Sequence, residues 1–281
     1  MGTFMGHLLP GLALTSLGLW HTINTTKAFF LNWPHKFTIR FSYQLKSPLL
    51  KLHHLEPILI LSFSVFAILA QIINSKSLRF SVELDSIEHT TIFIQLIVFT
   101  VFTLFSELTQ LSESMLGVSG VLVASVFGQE LFLLHYHSTD HIGLEGHYHW
   151  LMQMIVCISF LSSLCSTFCP NSFPAALVLS TSVVFQGCWF ANMGFILWVP
   201  SFAPHGCIDR PSMDHKNGTI GGAVACGTQE ADLRARALAN LQFCWILSLI
   251  LILVTTVIDF DTRDICMRSF WQTIYAEEEV N

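Results

Sequence analysis

Seven apolar runs long enough to cross a membrane divide this chain, and they limit its fold more than any other feature. They cover residues 4–26, 55–73, 90–108, 117–134, 149–168, 175–199 and 241–258. A helix needs about 20 apolar residues to cross roughly 30 Å of hydrocarbon. Lipid gives backbone N–H and C=O groups no partners, so such runs must be helices or strands of a closed barrel. Barrel strands alternate with period two, and these runs do not. The expected fold is therefore all-α: a polytopic membrane protein of about seven transmembrane helices in one bundle. It forms a single domain over residues 1–281, ending in an acidic tail at 261–281. Charge agrees. Only 11% of the 281 residues are charged and 52% are hydrophobic, against about 25% charged in soluble domains.

The net charge of −6 excludes some partners. A phosphate backbone needs a clustered basic face, and none exists, so nucleic acid is not expected. The lipid bilayer is the expected partner. Small residues in the fourth run (Ser119, Gly120, Ser125 and Gly128) suit close helix packing and permit a homodimer. The first run has no Lys or Arg before it, unlike a secretory signal, and reads as a retained span.

Basic residues set the orientation. Lys27, Lys36, Arg40, Lys46 and Lys51 crowd the first loop, which is therefore expected in the cytoplasm. The N-terminus then lies outside or in a lumen, and the C-terminus inside. Arg210, Lys216, Arg234 and Arg236 in the last loop oppose this, although Arg234 and Arg236 fit a helix start. The same topology exposes the sequon Asn217-Gly218-Thr219 to a lumen or exterior. Cys207 and Cys226 share that loop, on the side where disulfides persist. The eight Cys include no CxxC pair, against a zinc ribbon or a thioredoxin motif.

Ionisable groups in or beside spans are costly and tend to have roles. Under this topology His7, His89, Glu130, His135, His137, His147 and His149 all fall toward the outer ends of their helices. Five of the fifteen residues from His135 to His149 are His. Neutral imidazole is the commonest metal ligand, and zinc takes His nitrogen and carboxylate oxygen, usually as four ligands. These seven residues are thus candidate metal ligands, with Zn2+ the candidate ion. Two other readings stay open: a proton-handling cluster, and rings resting in the headgroup layer. In each His-x-His pair the rings point about 200° apart on a helix, so at most one of each faces the bundle interior. His21, Glu56 and Glu107 gather toward the opposite ends. Gln186 falls inside the sixth run, suited to a hydrogen bond across helices. No Walker loop, dinucleotide fingerprint, GxSxG elbow or HExxH helix occurs.

Three blocks carry a resemblance. They are Gly6-His7-Leu8-Leu9-Pro10-Gly11 with Gly18-Leu19-Trp20; Glu130 … His135-x-His137 … Leu144-x-x-His147-x-His149; and Gln186-Gly187-Cys188-Trp189-Phe190 with Gly194-Phe195. Together they resemble the transmembrane protein 45 family, its plant-type branch in particular. The resemblance implies a seven-span protein of the endomembrane system or plasma membrane, with no implied reaction. It implies that His7, His89, Glu130, His135, His137, His147, His149 and Gln186 are shared polar positions. Asp140, His141 and Glu145 fit the pattern less well.

Three functions follow as expectations. The first is a non-catalytic membrane protein of sorting, trafficking or stress response, with a structural metal at the outer helix ends. The second is a metal-dependent lipid hydrolase with Glu130 as general base. Its His-metal precedents need paired His in the last span, and 241–258 has none. The third is a proton or metal transporter.

Overall fold

The structure, a computed structural model, describes residues 3–31, 37–44, 54–74, 84–111, 113–138, 143–209 and 223–278. Among them the chain forms seven α-helices: α1 Phe4–Leu31, α2 Leu55–Asn74, α3 Leu84–Leu108, α4 Leu116–Ser138, α5 Leu144–Phe168, α6 Phe173–Trp198 and α7 Gln229–Glu278. A short hairpin, β1 Cys207–Asp209 with β2 Val224–Cys226, lies between α6 and α7 and is antiparallel. The sequon Asn217 and the basic residues Arg210 and Lys216 lie outside the described residues, as do Lys36, Lys46, Lys51, Asp140 and His141.

Six of these helices, α2 to α7, are long and apolar enough to cross a membrane. The protein is an all-α, multi-pass membrane protein. α1 spans 28 residues, about 42 Å at 1.5 Å per residue, but its Thr, His and Asn side chains make it more polar. Large apolar side chains point outward along the bundle, among them Phe66, Val101, Phe132, Trp245, Leu249 and Ile252. In water this would be a liability; in lipid it is the favoured arrangement.

Local chemistry sets the helix ends. α5 begins after Gly143, whose φ of 84° favours glycine, and stops at Cys169, just before Pro170. Ser172 caps α6 by accepting from Ala175 N, and Val199-Pro200 ends it. α7 begins twelve residues before the apolar run at 241. Its first turn carries Glu230 and Asp232, which suit a helix N-terminus and pair with Arg234 and Arg236 one turn on. Those two arginines thus belong to a helix and not to the loop before it.

α1 and α6 form the closest pair. Gly11 lies against Gly187 and Ala191, Gly18 against Val184, and Gly194 against His7, so the helices run antiparallel. A Cβ on Gly11 would stand 2.8 Å from the backbone nitrogen of Ala191. Close approach of this kind is what small residues supply in membranes, where no hydrophobic force separates helix from lipid. On α4, Gly120 and Gly128 are occupied in the same way by Thr167 and Phe160 of α5. Polar bonds add to the packing: Ser159 to Ser182 at 2.9 Å, Gln95 to Ser125 at 2.6 Å, and Thr26 to Asp261 at 2.8 Å. The tightest core lies between α5, α6 and α7, where Tyr148, Met152, Trp189, Met193 and Ala239 are fully buried.

Residues 37–44 run extended beneath the bundle. Phe37, Ile39, Phe41 and Tyr43 are buried while Thr38 and Arg40 are exposed, so the segment alternates with period two like a strand. Ile39 N donates to the Pro170 carbonyl at 2.8 Å, and Phe37 and Phe29 pack on Phe173.

Candidate functional site

Helices α1 to α6 line a partly open cavity of about 670 Å³, within the range of small-molecule sites. Along α1 its wall is His7, Pro10, Leu14, Leu17 and His21, one face at helical spacing. His7 and His21 are fourteen residues apart, about 21 Å along the axis. Between them the wall is almost wholly apolar: Phe63 of α2, Phe93 and Leu96 of α3, Phe127 of α4, Leu179 and Val183 of α6. Polar groups gather at its two ends, with Glu130 between.

At one end the lining includes His7, Glu88, His89, Glu145, His149 and Trp198. His7 and His149 are both buried, at 4% and 6% exposure. Their rings meet edge to face, with centroids 6.2 Å apart. His7 Nδ1 lies 3.1 Å from the Thr3 carbonyl, and His149 Nδ1 lies 2.9 Å from the Glu145 carbonyl. A carbonyl only accepts, so Nδ1 is the protonated nitrogen in each ring. When the ring is neutral, Nε2 then carries the lone pair. The His7 ring stacks on Trp198, with centroids 4.3 Å apart. The Trp198 indole N–H is buried and has no hydrogen-bond partner among the described residues.

Deeper in, Gln186 Nε2 donates to Glu130 Oε1. Gln186 is fully buried, and its own Oε1 lacks a partner among the described residues. Gln186 is next to Gly187, which lies level with Thr15 of α1. The pair therefore sits about 12 Å below His7.

The opposite end is closed by the extended segment. Glu56 of α2 accepts from Trp20 Nε1 at 2.9 Å and from Tyr43 N at 2.8 Å, and its other oxygen meets His21 Nε2 at 2.8 Å. Glu107 of α3 accepts from Ser42 Oγ at 2.7 Å and pairs with His54 Nδ1 at 2.6 Å. Neighbouring residues 42 and 43 are thus held by two separate His–Glu pairs. Burial pushes the Tyr43 phenol above its ordinary pKa, so it stays neutral and bonds Thr25 at 3.0 Å.

The seven candidate ligands divide. His7, His89, Glu130 and His149 line the cavity together. His135 is exposed and bonds Gln153 at 3.2 Å, and His147 bonds Asn240 of α7 at 2.9 Å. His147 and His149 face different neighbours, as the 200° rotation requires. His137 lies on α4, but its side chain is outside the described residues. Among the described residues, no three His, Cys, Asp or Glu side chains converge as a metal site.

Sequence reasoning weighted His21, Glu56 and Glu107 below the outer cluster and did not single out His54. The available signal was the alternation Phe37, Ile39, Phe41, Tyr43, which marks a buried extended segment inside a loop otherwise notable for its charge.

A family model described as "Family of unknown function (DUF716)" matches residues 116–258, just over half of the chain. The match runs from α4 into α7 and includes Glu130, His149, Gln186 and Trp198.

Proposed function

We propose, on the premise that this chain belongs to the DUF716 family of unknown function, that it is a non-catalytic multi-pass membrane protein. It holds an amphipathic small molecule inside its helix bundle. One observation carries this reading: a long apolar cavity lies within the membrane-crossing helices and ends in polar groups at both sides. An apolar middle suits a hydrocarbon chain, which gains about 0.8 kcal/mol per CH2 taken from water. It does not suit an ion or a sugar, which would leave hydrogen bonds unmade. Binding is tested with a palmitoyl probe on purified full chain, comparing wild type with Ala13→Trp, which puts an indole into the cavity from mid-α1. Saturable binding that Ala13→Trp abolishes supports the reading; equal labelling of both proteins rejects it.

Within the family, the three sequence blocks favour the transmembrane protein 45 proteins and their plant-type branch. Sorting, trafficking or stress response in endomembranes or the plasma membrane is the role that fits a binding protein of this kind. In this reading the N-terminus lies outside or in the lumen and the C-terminus in the cytoplasm. The Cys207–Cys226 bridge supports that side for the last loop, since disulfides persist in oxidising compartments. Glycosidase-sensitive mass lost on Asn217→Gln agrees with this orientation; modification of a loop-one tag by an external reagent contradicts it.

A second reading keeps the metal. His7 and His149 both donate Nδ1–H to carbonyls, the hold typical of His ligands. In this reading Zn2+ joins those two rings with His89; Glu130, about 12 Å deeper beside Gln186, stands apart from it. Metal analysis of wild type and of His7→Ala with His149→Ala decides it: stoichiometric zinc lost in the variant supports the site, and metal-free wild type rejects it.

A further inference from the structure

The wall of the cavity is a run of helices packed in the order α1, α6, α5, α4, α3, α2. The two ends of that run, α1 and α2, do not pack on each other along their length. They are joined at one level, where Glu56 binds Trp20 and His21. From there α1 lines the cavity up to Gly6, a distance of about 22 Å from His21. α2 lines it only from Leu55 to Phe63, and residues 64–73 do not take part. The second helix therefore leaves the wall about halfway up, and the gap lies beside α1.

The helix faces agree with this. Gly11 and Gly18 of α1 meet α6. Ala13, Ser16 and Trp20, spaced by three and four residues, share another face. The Trp20 bond to Glu56 turns that face toward α2. Ser16 on this face and Leu59 on α2 both line the cavity and are both exposed, Leu59 at 58%. Residues that are exposed and also line a cavity mark its mouth. Among the described lining residues only Arg40 shares that property, and it belongs to the outward side of the extended segment.

The two ends are better covered. Ile39, Phe41 and Tyr43 are buried across one, and His7 and His149 are buried at the other. α7 packs on α1, α5 and α6, and none of its described residues lines the cavity. Around the mouth the exposed side chains are apolar, Leu12 on α1 and Ile58 and Phe66 on α2, so the medium there is hydrocarbon. An acyl chain moving from lipid into an apolar wall never has its surface exposed to water.

We infer that the cavity is filled from the side: the acyl chain of a bilayer lipid enters between α1 and α2, past Ser16 and Leu59. This rests on the proposed function, since it gives the source of the molecule held and the path it takes.

The test uses the full chain in nanodiscs and a palmitate probe carrying a diazirine, which partitions into the nanodisc lipid. Irradiation after set intervals, with peptide mapping, follows labelling of Phe127 and Val183 deep in the cavity. Ser16→Trp and Leu59→Trp add bulk at the mouth. Each is expected to delay labelling about tenfold and to reach the wild-type final level, because a narrowed mouth slows entry and exit alike. Leu249→Trp, on the outward face of α7, is expected to follow wild type. Labelling on the wild-type schedule in a folded mouth variant overturns the entrance and leaves the cavity reading standing. So does a lower final level on an unchanged schedule, which makes the residue part of the binding wall. Absence of label from Phe127 and Val183 in wild type overturns both. Either mouth variant suffices, so the test holds if one of them does not fold.

Discussion

His21 of α1 and Glu56 of α2 meet at 2.8 Å at the far end of the cavity from His7. Glu56 also accepts from Trp20 Nε1 and Tyr43 N, so one carboxyl group joins two helices and the extended segment. Replacing it with Leu removes the acceptor for all three donors. Each buried donor left unpaired costs about 1–3 kcal/mol. Of the three donors only Tyr43 N is fully buried, so Glu56→Leu should destabilise the protein by about 1–3 kcal/mol, and Glu56→Gln, which keeps one oxygen, by less. Denaturant melts in detergent measure the difference; equal stability of the two variants would remove Glu56 from this role.

The α1–α6 contact predicts opposite outcomes for two glycines. A Cβ on Gly187 would collide with the backbone of Thr15 and Gly11, while Gly117 on α4 has nothing near it. Gly187→Ala should cost about 1–3 kcal/mol through overpacking. Gly117→Ala should be neutral or stabilising by up to about 1 kcal/mol, from helix propensity. Thermal melts of the two variants check this, and a stable Gly187→Ala would mean the helices are further apart.

The bridge between Cys207 and Cys226 closes the hairpin before α7. Alkylation without reductant should spare these two residues and modify them after reduction, as read by peptide mass. Loss of the bridge should lower stability by about 2–4 kcal/mol. Alkylation of both thiols in unreduced protein would contradict the pairing.

Much of the fold was legible because hydrocarbon imposes a single scale. The runs 55–73 and 175–199 fall almost on α2 and α6, since apolar length is the signal and an unbroken apolar run of that length crosses lipid as a helix. The start of α7 was not legible. Its first three turns are polar, packed by Ala231, Ala235 and Ala239, and an apolar scan begins only at 241. In the site, His7 and His149 were legible because residues at a common membrane surface are brought together whatever their separation in sequence. His135 and His147 were drawn into the same group by that rule, yet facing is set by helix rotation. The indole of Trp198 and the segment 37–44 were missed: the first is an ordinary interfacial aromatic until its partners are counted, and the second was hidden by Arg40 and the lysines on either side of it.

The most direct test of the central claim is where a bound chain touches the protein. Photolabelling with a palmitoyl glyceride carrying a diazirine at mid-chain, followed by peptide mapping, reports this. The account predicts adducts on cavity residues such as Leu17, Phe93, Phe127 and Val183, lost in Ala13→Trp. Adducts confined to outward-facing residues such as Phe66, Leu249 and Ile252 would contradict it.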